Sequence, residues 1–157
     1  MMTDIDKYLI PLSGYDLCKI LEEWKWLTGD KTIVALTKTG DLLLKDKSEH
    51  LYFLDAGGGT LSHKADNYLD FINQKLSDEL TEELLLPHVI DKLQQQGTML
   101  KPGQVYSYTL LPILGGNYDD KNRFAVDLYE HFSLTGATHF QIKDLPDESS
   151  VEIITSK

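Results

Sequence analysis

Apolar residues recur at helical spacing near the start of the chain. Leu17, Ile20, Leu21 and Trp24 fall on one side of a helix. This pattern predicts an amphipathic helix over residues 15–27, which the Gly-Asp pair after Thr28 would end.

Two stretches of alternating apolar residues follow, each divided by a turn. KTIVALTKTGDLLLKD, residues 31–46, predicts two strands around Thr39, Gly40 and Asp41. HLYFLDAGGGTLSHK, residues 50–64, predicts two more around the glycines at 57–59. Because the connections are so short, the four strands should form an antiparallel meander.

The pattern returns to helical spacing after residue 65. We expect one helix over residues 66–77 with Asp66 as its N-cap, and a second over residues 78–96 that Gly97 ends. Pro87 should kink or restart the second helix, because proline lacks a backbone donor. Leu86, Ile90 and Leu93 would then face the core.

The last third of the chain predicts one strand and one helix. Alternating tyrosines and β-branched residues in GQVYSYTLLP, residues 103–112, indicate a strand. Val126, Tyr129 and Phe132 favour a helix within residues 125–143, which Gly136 would interrupt. The prediction is an α+β fold, an antiparallel strand meander packed against several helices in a single domain over residues 1–157.

The net charge of the chain limits the kinds of partner that it can bind. The chain has 15 Lys and Arg against 25 Asp and Glu, a net charge of −10. Such a chain is unsuited to binding nucleic acid directly or to an anionic membrane surface, and it suits a basic partner. The acids concentrate in the acidic segment, residues 66–91, where seven acidic side chains accompany Lys75 alone.

Other features favour a cytoplasmic protein. The N-terminal sequence lacks the basic and apolar regions of a secretory signal, and no apolar run reaches the ~18–20 residues of a membrane span. Cys18, the single cysteine, excludes an intramolecular disulfide and lies on the apolar side of the first predicted helix.

Motifs for catalysis, cofactors or metals are not found. The glycines at 57–59 precede a strand rather than the helix of a phosphate loop, and residues 117–128 lack the glycine and glutamate of a calcium loop. The five histidines show no close metal-ligand spacing, and no G-x-S-x-G is present. We therefore expect neither an enzyme nor a metal or cofactor site.

Five motifs, in order, resemble a known bacterial family. They are WKWLTGD, TKTGDLLLKD, LYFLDAGGGTLSHKADNYLDFI, LKPGQVYSYTLLPILGGNYDDKN and HFSLTGATHFQIKDLPD. Together they resemble the type VI secretion immunity-protein C-terminal domain family, which is related to GAD-like proteins and to the Smi-type immunity superfamily. Val105, Leu111 and Glu148 depart from the family pattern, which argues against close kinship.

The resemblance implies a cytoplasmic immunity protein, or antitoxin. Such a protein would bind and neutralise a cognate secreted effector toxin, of which nucleases are one class, by direct protein–protein contact. The basic cleft with which a nuclease holds DNA could accept an acidic inhibitor. The oligomeric state is not predicted.

Two groups of residues are the candidate sites. Partner binding is assigned to acidic side chains, Asp66, Asp70, Asp78, Glu79, Glu82 and Glu83. The glycine loop, residues 110–124, is interpreted first as structural and second as a partner contact, through Gly115, Gly116, Asn117, Tyr118, Asp119 and Asn122. The alternative is an enzyme or ligand-binding protein with a pocket near Gly115 and Gly116, lined by residues such as Asp119, His131 and His139.

Overall fold

The protein has the predicted α+β architecture. The computed structural model describes residues 4–67 and 78–145. Seven strands occur in these ranges: β1 (Leu9–Ile10), β2 (Thr32–Thr37), β3 (Leu42–Lys45), β4 (Leu51–Asp55), β5 (Thr60–Ala65), β6 (Gln104–Tyr108) and β7 (Arg123–Asp127). The α-helices are α1 (Leu17–Leu21), α2 (Lys25–Thr28), α3 (Asp78–Leu85), α4 (Pro87–Gln95) and α5 (Leu128–Ile142). Short 3-10 helices cover Asp4–Tyr8, Glu22–Trp24, Pro112–Leu114 and Asp120–Asn122.

The predicted meander forms most of a five-stranded antiparallel sheet in the order β1-β2-β3-β4-β5. In the register of the two central strands, Leu42 lies opposite Leu54 and Leu44 opposite Tyr52. Leu42, Leu43 and Leu44 are all buried. Three consecutive buried leucines are typical of a strand covered on both faces.

Helices cover the two faces of this sheet. On one face, Leu42, Leu44 and Leu54 pack with two large side chains. These are Trp24, at the end of the 3-10 helix Glu22–Trp24, and Phe132 of α5. On the other face, Leu43 and Phe53 of the central strands pack with buried side chains of α3 and α4. The helix side chains are Leu84, Leu85, Val89, Ile90 and Leu93. The sheet therefore lies between two apolar clusters.

Strands β6 and β7 form a separate antiparallel pair, with Tyr108 opposite Arg123. Tyr106 Nα–H donates to the carbonyl oxygen of Lys38 at 2.8 Å, which ties β6 to the β2–β3 turn. The glycine loop connects the two strands. Its position is therefore fixed close to the ends of the main sheet.

The structure departs from the predicted helices in two places. Residues 15–27 do not form one helix, because the segment is divided into α1, a 3-10 turn and α2. Residues 123–127 are strand β7, and the helix begins only at Leu128. The strand alternates between two sides, with Arg123, Ala125 and Asp127 on one and Phe124 and Val126 on the other. The sequence did not reveal this pattern, because Val126, Tyr129 and Phe132 also fit a helical repeat.

Gly136 does not interrupt α5. A Cβ built on Gly136 would lie 2.6 Å from the backbone oxygen of Glu23, so the glycine allows the helix to approach the 3-10 turn closely. Strand β1 was also missed, since two residues are too few to give an alternating pattern. Pro87 does restart the helix, with Leu86 half-buried in a left-handed conformation before it.

Candidate functional site

The turn between β2 and β3 is buried and polar. Asp41 Oδ2 accepts from the Thr39 hydroxyl at 3.2 Å, and Asp41 Oδ1 accepts from Ala56 Nα–H at 2.9 Å. The Thr37 hydroxyl oxygen accepts from Asp41 Nα–H at 2.9 Å. This turn, part of the TKTGD motif, therefore holds the end of β4 through a carboxylate that is only 3% exposed.

The tip of the β4–β5 hairpin is held by a second carboxylate. Asp55 Oδ1 accepts from the backbone N–H groups of Gly57 and Gly58 at 3.0 and 3.1 Å. Asp55 Oδ2 accepts from the Tyr118 hydroxyl at 2.7 Å. The glycine loop is thereby joined directly to the LDAGGG motif, 63 residues away along the chain.

Arg123, at the start of β7, ties these pieces together. Its guanidinium donates to the backbone oxygens of Tyr118 at 3.2 Å, Thr39 at 3.1 Å and Tyr106 at 3.3 Å. The guanidinium carbon also lies 4.0 Å from the ring centroid of Tyr108, a cation–π contact. We call Asp41, Asp55, Tyr108, Tyr118 and Arg123 the polar cluster.

Two histidines of α5 support the cluster from inside. His131 Nε2 donates to the Gly40 carbonyl at 2.8 Å, so Nδ1 of the neutral ring accepts from the Ser107 hydroxyl at 2.7 Å. His139 Nε2 donates to the Ala56 carbonyl at 2.8 Å. Burial lowers the pKa of both rings, that of His131 to about 4, which keeps them neutral near pH 7.

The glycine loop is internally bonded through its asparagine side chains. Asn122 Nδ2 donates to the carbonyls of Leu110 and Asn117, both at 2.7 Å, and Asn122 Oδ1 accepts from Leu110 Nα–H at 3.0 Å. Asn117 Oδ1 accepts from Asp119 Nα–H at 3.0 Å, an Asx turn. The Asp119 side chain does not cap the following 3-10 turn.

Gly116 has a steric role in the same loop. A Cβ at this position would collide with the carbonyl of Leu110 and lie 2.8 Å from Asn122 Nδ2. Gly115 has a φ of +106°, in the left-handed region. The glycine pair therefore lets the loop close on itself.

A cleft of about 360 Å³ opens beside the polar cluster. Asp41, Asp55 and Tyr118 line one part of it, and α3 contributes Glu83. Its remaining lining residues combine hydroxyl, apolar and basic side chains: Phe53, Thr60, Ser62, Lys64, Leu84 and Leu86. The cleft thus combines one residue of the glycine loop with one residue of the acidic segment.

The carboxylates give this cleft unusual electrostatics. Burial and the nearby Asp55 charge raise the pKa of Asp41 to about 7, although the Arg123 charge and hydrogen bonds act in the opposite direction. Burial and the hydrogen bond to Asp55 raise the pKa of Tyr118, and burial raises that of Tyr108. The cleft is therefore lined by a carboxylate, that of Asp41, which can bind a proton near neutral pH.

The structure describes the side chains of three of the predicted partner-binding acids, Asp66, Glu82 and Glu83. Glu83 lines the cleft and contacts Lys64 at 3.5 Å, whereas Glu82 contacts His88 at 2.6 Å. Asp66 contacts His63 at 3.1 Å at the end of β5. Asp70, like most of the helix predicted over residues 66–77, lies outside the described residues. The backbones of Asp78 and Glu79 begin α3.

The residues named for the alternative pocket do not line the described cleft. His131 and His139 are buried and bonded to backbone carbonyls, and Asp119 is exposed outside the cleft lining. Both rings hold the turns of the main sheet, an arrangement that their eight-residue spacing on α5 does not reveal. Cys18 is exposed, not within an apolar face.

Sequence reasoning missed most of the polar cluster. Asp41 was identified only as a turn residue, Asp55 was not singled out, and Tyr108 was only part of a strand pattern. Arg123 offered a signal, since it is the single arginine in a chain with 14 lysines. A single arginine beside a turn can mark a place where several backbone oxygens need hydrogen-bond donors. The planar guanidinium group directs several N–H groups at once, and the ammonium group of lysine does not.

Within residues 4–67 and 78–145, no group of three or more His, Cys, Asp or Glu side chains could hold a metal ion. No helix in the same ranges is long and apolar enough to cross a membrane.

Comparison with known proteins agrees with the motifs. A solved structure described as "Crystal structure of Atu4351 from Agrobacterium tumefaciens" has 13% sequence identity and a TM-score of 0.51, over 78% of this chain and 65% of that one. At this identity the likeness concerns the fold alone, and the present chain spans about two thirds of the length of that protein. No curated protein gives a significant match. Residues 65–139 match the family described as T6SS immunity protein Tdi1, C-terminal, and this match confirms the resemblance to the type VI secretion immunity family.

Proposed function

We propose that this protein is a cytoplasmic immunity protein that binds and neutralises a cognate secreted effector toxin by direct contact. The observation that carries the proposal is the position of the cleft. Its wall includes Tyr118 of the glycine loop and Glu83 of the acidic segment, and both lie within the region that matches the immunity family. Two features that were separate in the sequence therefore share one concave surface.

The charge of the chain supports a basic effector. A net charge of −10 speeds the encounter with a basic surface and disfavours acidic competitors. An effector that cleaves nucleic acid would present such a surface, because it must neutralise phosphates. A nuclease is therefore the effector class that we favour.

We expect inhibition by occupancy rather than catalysis. Asp41 at the cleft accepts hydrogen bonds from Ala56 and Thr39, and the buried His131 and His139 rings are bonded to backbone carbonyls and have lowered pKa values. Neither ring lines the cleft. These residues therefore support the cluster rather than transfer protons to a bound substrate.

A small-ligand protein is the second candidate. The cleft volume of about 360 Å³ falls at the lower end of the range for ligand sites, roughly 300–1,000 Å³. The cleft also lies beside the glycine loop, where the alternative hypothesis placed a pocket. This function would require a free small molecule to bind without any protein partner.

Calorimetry distinguishes the two candidates. The protein is titrated with the product of the adjacent reading frame at two salt concentrations. We expect a complex of about nanomolar Kd that weakens as salt rises, because screening reduces attraction between opposite charges. Tight binding that is indifferent to salt would retain the immunity function and remove the charge argument. No binding at micromolar concentrations would contradict the proposed pairing.

A further inference from the structure

The lining of the cleft combines apolar side chains with carboxylates. Phe53, Leu84 and Leu86 supply apolar surface, and Asp41 and Asp55 supply carboxylates. The two carboxylates hold neighbouring amides of one hairpin, those of Ala56 and Gly57, so they face the same turn.

These carboxylates retain capacity to accept hydrogen bonds. A carboxylate has about four acceptor positions. Asp55 uses three, for two backbone amides and the Tyr118 hydroxyl, and Asp41 uses two, for Ala56 and Thr39. About three positions are left on the pair, the number of N–H donors that an ammonium group carries.

A buried hydroxyl provides an independent sign of an additional polar partner. Tyr108 is only 6% exposed, and its hydroxyl has no hydrogen-bond partner within the described ranges. Its ring packs edge-on against Tyr118 at 5.9 Å, and the Asp41 and Asp55 charges both act on it. A buried hydroxyl without a partner costs free energy, so a polar group that reaches it would be stabilised; Tyr108 is not itself a lining residue but contacts Tyr118, which lines the cleft.

The local charge balance also favours one cation. When ionised, Asp41 and Asp55 contribute two negative charges, and Arg123 contributes one positive charge. Lys64 and Glu83 form their own ion pair at the cleft, at 3.5 Å. Within residues 4–67 and 78–145, neither Asp41 nor Asp55 forms an ion pair with a basic side chain. One negative charge is therefore left to be balanced when Asp41 is ionised, and an ammonium group beside it would favour that ionised form.

We propose that the cleft receives a lysine side chain of the partner protein, with its ammonium group between Asp55 and Asp41. The methylene stem would lie against Phe53, Leu84 and Leu86, as long basic side chains cover apolar surface. Lysine fits better than arginine, because the free acceptor positions lie on two separate carboxylates and not as a pair on one planar group. This inference rests on the proposed function, since it names the contact within the same interface.

The surroundings indicate that the lysine belongs to a protein. Leu110 and Ile113 of the glycine loop are 47% and 48% exposed. Ile113 Nα–H donates to the Gly57 carbonyl at 3.4 Å, which places this apolar surface beside the hairpin tip. A protein partner would cover these side chains around the inserted lysine, whereas a free amine would not.

The first test uses nuclear magnetic resonance and a lysine analogue. The 15N-labelled protein is titrated with Nα-acetyl-lysine methylamide, and with the Nε-acetylated compound as the uncharged control. We expect saturable shifts at Gly57, Gly58 and Tyr118 with the charged compound, with a Kd on the order of 1 mM, and none with the control. Equal shifts with both compounds, or no saturable shift, would overturn the lysine site.

Variants localise the effect. Asp55→Asn keeps the size of the side chain and an acceptor for Gly57 and Gly58, and should weaken binding of the analogue at least tenfold. Glu22→Gln removes the same charge from an exposed position outside the cleft and should leave the affinity unchanged. Equal affinity of both variants would place the analogue elsewhere and overturn the assignment.

The second test uses the product of the adjacent reading frame. If a lysine of that protein enters the cleft, Asp55→Asn should weaken the complex at least tenfold and Glu22→Gln should not. Tight binding by both variants would retain the immunity function and overturn the cleft contact. Failure of the wild-type protein to bind would overturn the pairing itself, while the analogue experiment still decides whether the cleft binds a lysine side chain.

Discussion

Replacement of Asp41 by asparagine should change how stability depends on pH. Asparagine is nearly isosteric, and its side-chain oxygen can still accept from Ala56 Nα–H. The pKa of Asp41 is raised from 3.8 to about 7, mainly by burial. The folded protein therefore binds a proton more tightly than the unfolded chain, so the contribution of Asp41 is full below pH 3.8 and is lost as the pH rises through 7.

The size of this effect follows from the pKa difference. One pKa unit corresponds to about 1.4 kcal/mol, so Asp41 should cost the wild type about 4 kcal/mol of unfolding free energy between pH 4 and pH 8. The variant lacks this loss. The free energy of unfolding of Asp41→Asn, minus that of the wild type, should therefore rise by about 4 kcal/mol over the same range.

Urea denaturation at half-unit pH intervals measures this difference. The comparison is needed because His131 acts in the opposite direction: its pKa is lowered to about 4, so its contribution to stability grows as the pH rises from 4 to 6.5. Taking the difference between wild type and variant removes that contribution. Asp30→Asn, which removes an exposed carboxylate that pairs with Lys47, is the control for the loss of one surface charge. A flat difference for Asp41→Asn would refute the buried, proton-binding carboxylate.

Three further substitutions test the contacts that build the site, each by urea denaturation at pH 7. Gly136→Ala should destabilise the protein by about 1–3 kcal/mol, since the clash with the Glu23 backbone outweighs the ~1 kcal/mol gain in helix propensity; a stabilised variant would contradict the close approach. Asn122→Ala should lower the free energy of unfolding by about 1–3 kcal/mol, because it leaves carbonyl and amide groups of the glycine loop without their partner. An effect below 0.5 kcal/mol, about the range for surface substitutions, would argue against the structural interpretation of that loop. Tyr118→Phe should cost about 0.5–1.5 kcal/mol through loss of one hydrogen bond to Asp55, and no measurable loss would indicate that this contact does not form.

The strand meander was predictable because its signals are local. The turns at Gly40 and residues 57–59 lie between apolar runs of strand length, and the structure pairs these strands as expected. Helix α4 was equally clear, since Pro87 marks its start and Gly97 follows its end. In these elements local propensity and tertiary packing agree, so a single sequence is sufficient.

The polar cluster was not predictable, because it depends on contacts between distant segments. Tyr118 reaches Asp55 across 63 residues, and Arg123 reaches Thr39 across 84. Burial also raises the pKa of Asp41. Sequence alone does not distinguish a buried turn aspartate from an exposed one. The motifs were visible, but their convergence beside one cleft required the fold.

The acidic segment illustrates the opposite case. Its charge was visible in the sequence, yet the described acids divide among separate contacts with His63, Lys64 and His88. Exposed ion pairs of this kind contribute little to stability, so these side chains can exchange their partners at an interface. Composition therefore predicts a basic partner but does not tell which acids would contact it.

A growth assay tests the central claim most directly. Bacteria that express the product of the adjacent reading frame are compared with and without co-expression of this protein. We predict that the wild type and Glu22→Gln restore growth, and that Asp55→Asn at the same expression level restores it poorly, because the cleft contact is weakened. If expression of the adjacent product arrests growth and the wild-type protein does not restore it, this pairing, and the immunity function argued from it, is contradicted.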